Sequence, residues 1–195
     1  GKQKNLKLWN QEKSKWNTEN RKLKIGVDLD DTLFVVMGEE LLEQYNQKFH
    51  DIVNMDDITT FNCGGIENLM KEYHIFETSN ARNLEIHTGG EEVLKKLKNE
   101  GHSFYVITSR EKDMRDNTEN ILEKYFWKAF FEEIIFIKEK GHDNKYIAAN
   151  ELGLDIVVDD GPHHITAYNE HFSGKICMFH APWNRLSKED NTKVF

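Results

Sequence analysis

The sequence predicts an α/β fold, with a mostly parallel sheet, helices on both faces and a helical insertion after the first strand. Three observations lead there. From residue 84 onward, helix-period and strand-like segments alternate, the pattern of a parallel sheet wrapped on both sides. The strand at 23–28 and the next at 102–108 are separated by a long helical stretch. Three of the predicted strands end in polar residues able to do chemistry.

Each element follows from its own pattern. Residues 1–22, rich in Lys, Asn, Gln and Glu, carry Leu6, Leu8, Trp9 and Trp16. They read as an N-terminal arm, either disordered or docked as a short amphipathic helix. "LKIGVD" at 23–28 is a short, partly β-branched run and reads as a buried strand. Leu41, Leu42, Tyr45 and Phe49 fall at helical spacing over 39–49. "DDITTFNCGG" is a loop or short helix, and 66–76 is helical again.

In "TGGEEVLKKLKNEG", Glu91 and Glu92 favour a helix start, Val93, Leu94 and Leu97 form the apolar face, and Gly101 ends it. "SFYVITS" is the next strand. Residues 116–130 form an aromatic-rich helix, followed by the strand "EIIFI" and the helix "NKYIAANELG", with Gly153 as its stop. "DIVVDD" is a strand, "ITAYNEHF" a short helix and "KICMF" the last strand.

Composition narrows the classes. The 195 residues are 38% hydrophobic and 31% charged, enough for one domain with its own core. A net charge of -8 argues against general attraction to nucleic acid or anionic lipid. Cys63 and Cys177 have no metal-type spacing and are expected to be reduced thiols. Apart from His163 and His164, the other seven histidines are scattered with no ligand spacing, so no zinc centre is expected. No run approaches the roughly 18 apolar residues of a membrane span, and no signal peptide is visible, so the expectation is a cytoplasmic protein.

The chemistry lies at the strand ends. Asp28 and Asp30 follow the first strand, Thr108 and Ser109 the second, Asp159 and Asp160 a later one. In an open parallel sheet the ligand crevice lies beyond the carboxyl ends of the strands, so these sets are expected at one rim. Four carboxyls there cannot all stay ionised without a cation. For all-oxygen ligands Mg²⁺ suits, taking one or two carboxylates, waters and substrate phosphate. One carboxylate can then attack phosphorus, giving an aspartyl-phosphate. A second, two residues on and on the same side of an extended chain end, can protonate the leaving alkoxide and later take a proton from water.

"VDLDDTL" resembles the first motif of the haloacid dehalogenase-like superfamily of phosphatases. "YVITSR" resembles the second, Lys145 at a helix start the third, and "DIVVDDG" the fourth, in the family's order. The resemblance implies a Rossmann-like three-layer core of residues 23–33 and 84–195, with 34–83 as a small helical cap. It implies Asp28 as nucleophile, Asp30 as general acid/base and as a Mg²⁺ ligand through its backbone carbonyl, and Thr32 as loop support. Thr108, with Ser109 and Arg110, would hold the phosphate, and Lys145 would neutralise it and Asp28. Asp28, Asp30, Asp159 and Asp160 would make the metal site. Asp31 is expected to be a solvated turn residue capping the next segment.

"YNQKFHDIVNMDDITTFN", "TSR", "VVDDGPHH" and "PWNR" are similar to the branch containing the 5'(3')-deoxyribonucleotidases and related nucleotidases. That similarity implies a small phosphorylated substrate, a nucleoside monophosphate. Phe34, Phe61 and Tyr73 are then candidates for a base slot, though cap core accounts for them as well. Arg110 is read equally as a phosphate partner and as a solvated helix start, and Arg115 as the latter. His163 and His164 read either as a loop starting the next helix or as residues at the site rim that tune access. Asn184 and Arg185 either close the pocket or form a surface turn. Phosphatases of nucleic-acid 3' ends or of sugar phosphates, a phosphotransferase, and a non-catalytic binding protein remain as alternatives. Base and sugar preference, 5' against 3' phosphate and oligomeric state stay open.

Overall fold

The computed structural model describes residues 21–184. Trp9, Trp16 and Arg185, with most of the predicted arm, lie outside that range. Seven strands and six α-helices occur among the described residues. The strands are β1 (Lys24–Val27), β2 (Phe34–Val35), β3 (Glu85–Ile86), β4 (Ser103–Thr108), β5 (Phe131–Phe136), β6 (Ile156–Asp159) and β7 (Lys175–Met178). The helices are α1 (Glu39–Phe49), α2 (Leu69–Ser79), α3 (Gly90–Asn99), α4 (Arg115–Tyr125), α5 (Lys145–Glu151) and α6 (Pro162–His171).

Five strands form one sheet in the order β5-β4-β1-β6-β7, every pair parallel. The chain runs outward from β1 through β4 to β5, then returns across β1 to β6 and β7. That reversal places α3 and α4 on one face and α5 and α6 on the other, because right-handed crossovers in opposite directions cover opposite faces. The core divides accordingly. Ile25, Val27, Phe104 and Val106 pack with Leu94, Ile121 and Leu122 on one side. Ile107, Ile135 and Val157 pack with Ala148, Ala149, Ile165 and Tyr168 on the other.

Gly26 in β1 leaves room for a close neighbour: a Cβ there would sit 2.6 Å from Leu154 Cδ1, so that buried side chain would have to shift. Gly101 ends α3 at φ +94, a conformation that favours glycine.

The inserted segment enters and leaves through β2 and β3, an antiparallel pair that joins Phe34 to Ile86 and Val35 to Glu85. Two residues per strand carry too little alternation to be read from sequence. Between them lie α1, two 3-10 turns at Met55–Asp57 and Cys63–Gly65, and α2. The insertion has no separate core. Leu41, Leu42, Tyr45, Ile58, Leu69 and Phe76 belong to the same apolar cluster as Val27 and Phe104.

The structure corrects two helix boundaries. The helix expected over 66–76 runs Leu69–Ser79. The one expected over 116–130 stops at Tyr125: Phe126 is extended and Ala129 takes a left-handed φ of 62°. Aromatic packing accounts for the stop, since the turn sets the Phe130 ring 4.5 Å from Phe126 and 5.6 Å from Phe104. No helix among the described residues is long and apolar enough to cross a membrane.

Candidate active site

Strand geometry builds the site. Leu29 is completely buried, so alternation turns Asp28 and Asp30 together to the other side. The Asp28 N–H donates to Val158 O at 3.0 Å, continuing the β1–β6 ladder and setting Asp28 beside Asp159. Lys145 is the first residue of α5, and its side chain reaches back over the sheet. Its Nζ lies 2.6 Å from Asp28 Oδ1 and 2.8 Å from Asp159 Oδ2. The ammonium is almost wholly buried, as are both carboxylates.

One lysine between two carboxylates leaves a negative excess, and Asp160 adds to it. Burial lifts the Asp28 carboxyl to about 7. Lys145 works against that shift, and the charges on Asp159 and Asp30 reinforce it. Burial, with Asp28 and Asp159, lifts Asp160 to about 9. Burial also penalises the Lys145 cation, but Asp159 and Asp28 outweigh it and hold its proton more firmly than usual. Asp28, Asp159 and Asp160 offer oxygens within 4.8 Å of one another. A buried, oxygen-only donor set short of positive charge fits a hard divalent cation.

The supports of Asp160 come from two distant segments, the turn after β1 and residues 183–184. Trp183 Nε1 donates to its Oδ2 at 2.8 Å and Thr32 Oγ1 to its Oδ1 at 2.9 Å. Asn184 Nδ2 donates to the Asp160 backbone carbonyl at 3.0 Å and to Phe179 O at 2.7 Å. Asn184 is thus a buried strut, and "PWN" is part of the site's frame.

Thr108, expected to hold phosphate, is completely buried and does not line the cavity; its hydroxyl oxygen accepts from Arg110 N–H at 3.1 Å. It braces the turn that presents Ser109, whose Oγ is 3.2 Å from His164 Nε2. His163 and His164 stand in the first turn of α6, not in a loop. Burial and the nearby Lys145 charge keep His164 neutral.

Arg110 is not a solvated helix start: its side chain is fully buried. Its Nε donates to Asp30 Oδ2 at 2.9 Å, Nη2 to Asp30 Oδ1 at 2.6 Å and Nη1 to Thr118 Oγ1 at 2.9 Å. Glu77 of α2, which the sequence left unmarked, faces the same pair, with Oε1 4.0 Å from Arg110 Nε. Burial, then the charge on Asp30, lifts the Glu77 carboxyl to about 8. Arg115 meanwhile pairs with Glu119 and Glu139 on the surface.

Asp31 departs from expectation in being buried. In a turn with φ 59°, its Oδ1 accepts from Val36 N–H at 3.0 Å and Met37 N–H at 2.7 Å, and its Oδ2 from Tyr73 O–H at 2.9 Å. It pins the start of the insertion to α2. Burial lifts its carboxyl to about 7 against those three donors.

These groups open into a cavity of about 520 Å³, lined by Asp28, Asp30, Ser109, Arg110, Lys145 and Asp159 below and by Phe61, Tyr73 and Glu77 of the insertion above. Of the three aromatic candidates, Phe34 is core, packed on Tyr125. The Tyr73 hydroxyl is committed to Asp31. Phe61 stands at the lip, 44% exposed, its ring 4.8 Å from that of His163. A larger groove of about 760 Å³ runs along the sheet face past Val27, Leu94, Phe104 and Ile176. It is apolar and holds no carboxylate.

Comparison with known proteins agrees with this architecture. A hydrolase from Streptococcus pneumoniae TIGR4 superposes with a TM-score of 0.59 at 16% identity, covering 84% of this chain and 96% of its own. A HAD family hydrolase from Deinococcus radiodurans R1, solved with bound phosphate and sodium, gives 0.58 at 14%, covering 84% and 85%. A predicted phosphoglycolate phosphatase from Haemophilus somnus 129pt gives 0.56 at 16%, covering 84% and 88%. At such identities these likenesses establish the fold alone. No curated protein matches the sequence significantly. The family model described as 5' nucleotidase, deoxy (pyrimidine), cytosolic type C protein matches residues 21–193, nearly the whole chain. The chain therefore belongs to that family, a nucleotidase branch of the haloacid dehalogenase-like phosphatases.

Proposed function

We propose that this phosphatase is a magnesium-dependent 5'-nucleotidase, acting on nucleoside or deoxynucleoside monophosphates through an aspartyl-phosphate on Asp28. The observation that carries the proposal is the joint burial of Asp28, Lys145, Asp159 and Asp160 at the floor of a cavity roofed by residues 61–78. A surplus of buried carboxylates with one lysine has no advantage for folding. It suits a site that must receive a dianion together with a divalent ion.

Lys145 fixes the Asp28 carboxylate through Oδ1, and Thr32 Oγ1 lies 3.3 Å from Oδ2. An Asp28 oxygen forms a bond to phosphorus as the ester P–O bond breaks, and Asp30 gives its proton to the departing oxygen. Water then attacks phosphorus, its proton goes to Asp30, and the Asp28–phosphorus bond breaks. Ser109 and Lys145 meet the phosphoryl oxygens, with Thr108 holding the turn beneath. Mg²⁺ held by Asp28, Asp159, Asp160 and the Asp30 carbonyl would neutralise charge on the phosphoryl group. Phe61, exposed beside His163, supports an aromatic slot for a base at the cavity mouth.

A phosphate-release screen tests the reading. It covers the nucleoside and deoxynucleoside monophosphates, several sugar phosphates and a 3'-phosphorylated oligonucleotide. The expected result is a kcat/KM for the preferred nucleotide at least about tenfold above every sugar phosphate, about 1.4 kcal/mol of selective stabilisation. A sugar phosphate or the oligonucleotide at the top of the ranking would overturn it.

A further inference from the structure

Arg110 is the most completely engaged cation near the chemistry that the proposed mechanism does not use. A guanidinium that binds substrate phosphate keeps its fork open towards the ligand. Here the fork is closed. Nε and Nη2 pair with the two oxygens of Asp30, and Nη1 is taken by Thr118, itself completely buried in α4. The Asp30 carboxyl keeps 16% of its surface exposed, and it lines the cavity. A carboxylate has about four lone-pair positions, and the fork occupies two of them. Glu77 hydrogen-bonds to the same carboxyl, which still lines the cavity.

A bidentate pair also fixes the carboxyl plane, which a single point charge does not. Asp30 lies beyond the end of β1, where its backbone bridges to Phe34 and its carboxyl meets Arg110 and Glu77. Thr118 anchors the far end of the guanidinium, and the Asp30 carboxyl therefore takes its orientation from α4. Glu77 brings a residue of the insertion to the same pair.

We propose that Arg110 is a positioning residue for proton transfer to the leaving group: its fork, anchored on Thr118, sets the plane of the Asp30 carboxyl. It acts on the departing ester oxygen through Asp30, not on the phosphoryl group. This rests on the proposed aspartyl-phosphate mechanism with Asp30 as the acid. In the assisted step the Asp28 oxygen bonds to phosphorus, the P–O ester bond breaks, and the Asp30 proton moves to that oxygen.

The test exploits leaving groups that differ in their need for a proton. p-Nitrophenolate departs without one, whereas a nucleoside alkoxide does not. Arg110→Met, Arg110→Lys and Thr118→Val are compared with the wild-type enzyme in Mg²⁺. The readouts are kcat/KM for p-nitrophenyl phosphate and for the best nucleoside monophosphate, and the inhibition constant of inorganic phosphate. General-acid catalysis contributes about 10²–10⁴-fold, so Arg110→Met should lower kcat/KM for the nucleotide about 100-fold or more. For p-nitrophenyl phosphate the change should stay within about threefold, because kcat/KM ends at departure of the leaving group. Phosphate inhibition should stay within the same factor. Dephosphorylation of Asp28 also needs Asp30, so a burst of p-nitrophenol should appear.

Arg110→Lys keeps charge without a fork and should recover only part of the loss. Thr118→Val should give a smaller loss with the same substrate selectivity, and it serves where Arg110→Met does not fold. Equal losses on both substrates, with phosphate inhibition weakened in step, would overturn the proposal and make Arg110 a phosphate ligand. An unchanged nucleotide rate in a folded variant would overturn it as well. Failure of the mechanism itself looks different: wild-type enzyme inert towards p-nitrophenyl phosphate, or Asp28→Asn active on both substrates, removes both proposals before any Arg110 variant is compared.

Discussion

Replacing Lys145 by methionine keeps much of the side chain's volume and deletes its charge. In the structure that charge lies 2.6 Å from one carboxylate and 2.8 Å from another, with the lysine side chain 2% exposed. Removing one partner from a buried ion pair costs about 3–5 kcal/mol, because the other charge is left uncompensated. At about 2–4 °C per kcal/mol for a domain of this size, Tm should fall by about 6–20 °C.

The sign of the pH dependence separates charge from packing. The folded-state value of Asp28, about 7, lies above its ordinary 3.8. Its contribution to stability is therefore present at low pH and lost as pH rises through about 7. Without Lys145 the carboxyl rises further, so the variant's deficit should be small at pH 5 and large at pH 8. Circular-dichroism melting in EDTA at both values measures it. A variant melting within about 2 °C of wild type at pH 8 would show that the lysine neutralises nothing. An equal deficit at both values would assign the loss to packing.

Asp28→Asn should abolish turnover while phosphate still protects against thermal unfolding; residual kcat above about a tenth of wild type would count against Asp28 as the attacking group. EDTA should stop activity and Mg²⁺ restore it. Because Asp28 and Asp160 hold protons up to about 7 and about 9, the stabilisation by Mg²⁺ should be larger at pH 9 than at pH 6, and a shift independent of pH would place the ion elsewhere. Asp31→Ala strands two backbone N–H groups and the Tyr73 hydroxyl. At about 1–3 kcal/mol for each unsatisfied group it should cost several kcal/mol in urea unfolding, whereas Asp31→Asn keeps an acceptor and should cost much less.

Much of the site could be read in advance because its residues sit at strand ends. Asp28 and Asp30, Thr108 and Ser109, and Asp159 and Asp160 each close a recognisable apolar run. The helix from Lys145 was equally plain, from Ala148, Ala149 and the Gly153 stop. The positions that local pattern hides are those whose partners lie far along the chain. Asp31 in a turn has the look of a solvated cap, and only Tyr73, 42 residues on, makes it a buried brace. Glu77 sits among polar helix residues with nothing to distinguish it until α2 is laid over the Asp30–Arg110 pair. The β2–β3 pair was too short for any periodicity. The helix over 116–130 was overextended because its aromatic spacing continued past Tyr125, where burial of Phe126 and Phe130 turned the chain.

The alternation of elements and the position of carboxylates at strand tips followed from local pattern, since parallel strands necessarily present their carboxyl ends at one edge. Which side chain each charge would grip did not. Arg110 was as consistent with a phosphate partner as with a solvated helix start, and Asn184 with closing the pocket as with a surface turn. Those choices were made when separate segments packed together, because a guanidinium or carboxylate taken out of water must find its counterpart within hydrogen-bond reach. That reach is set by the assembled layers, and no single segment contains it.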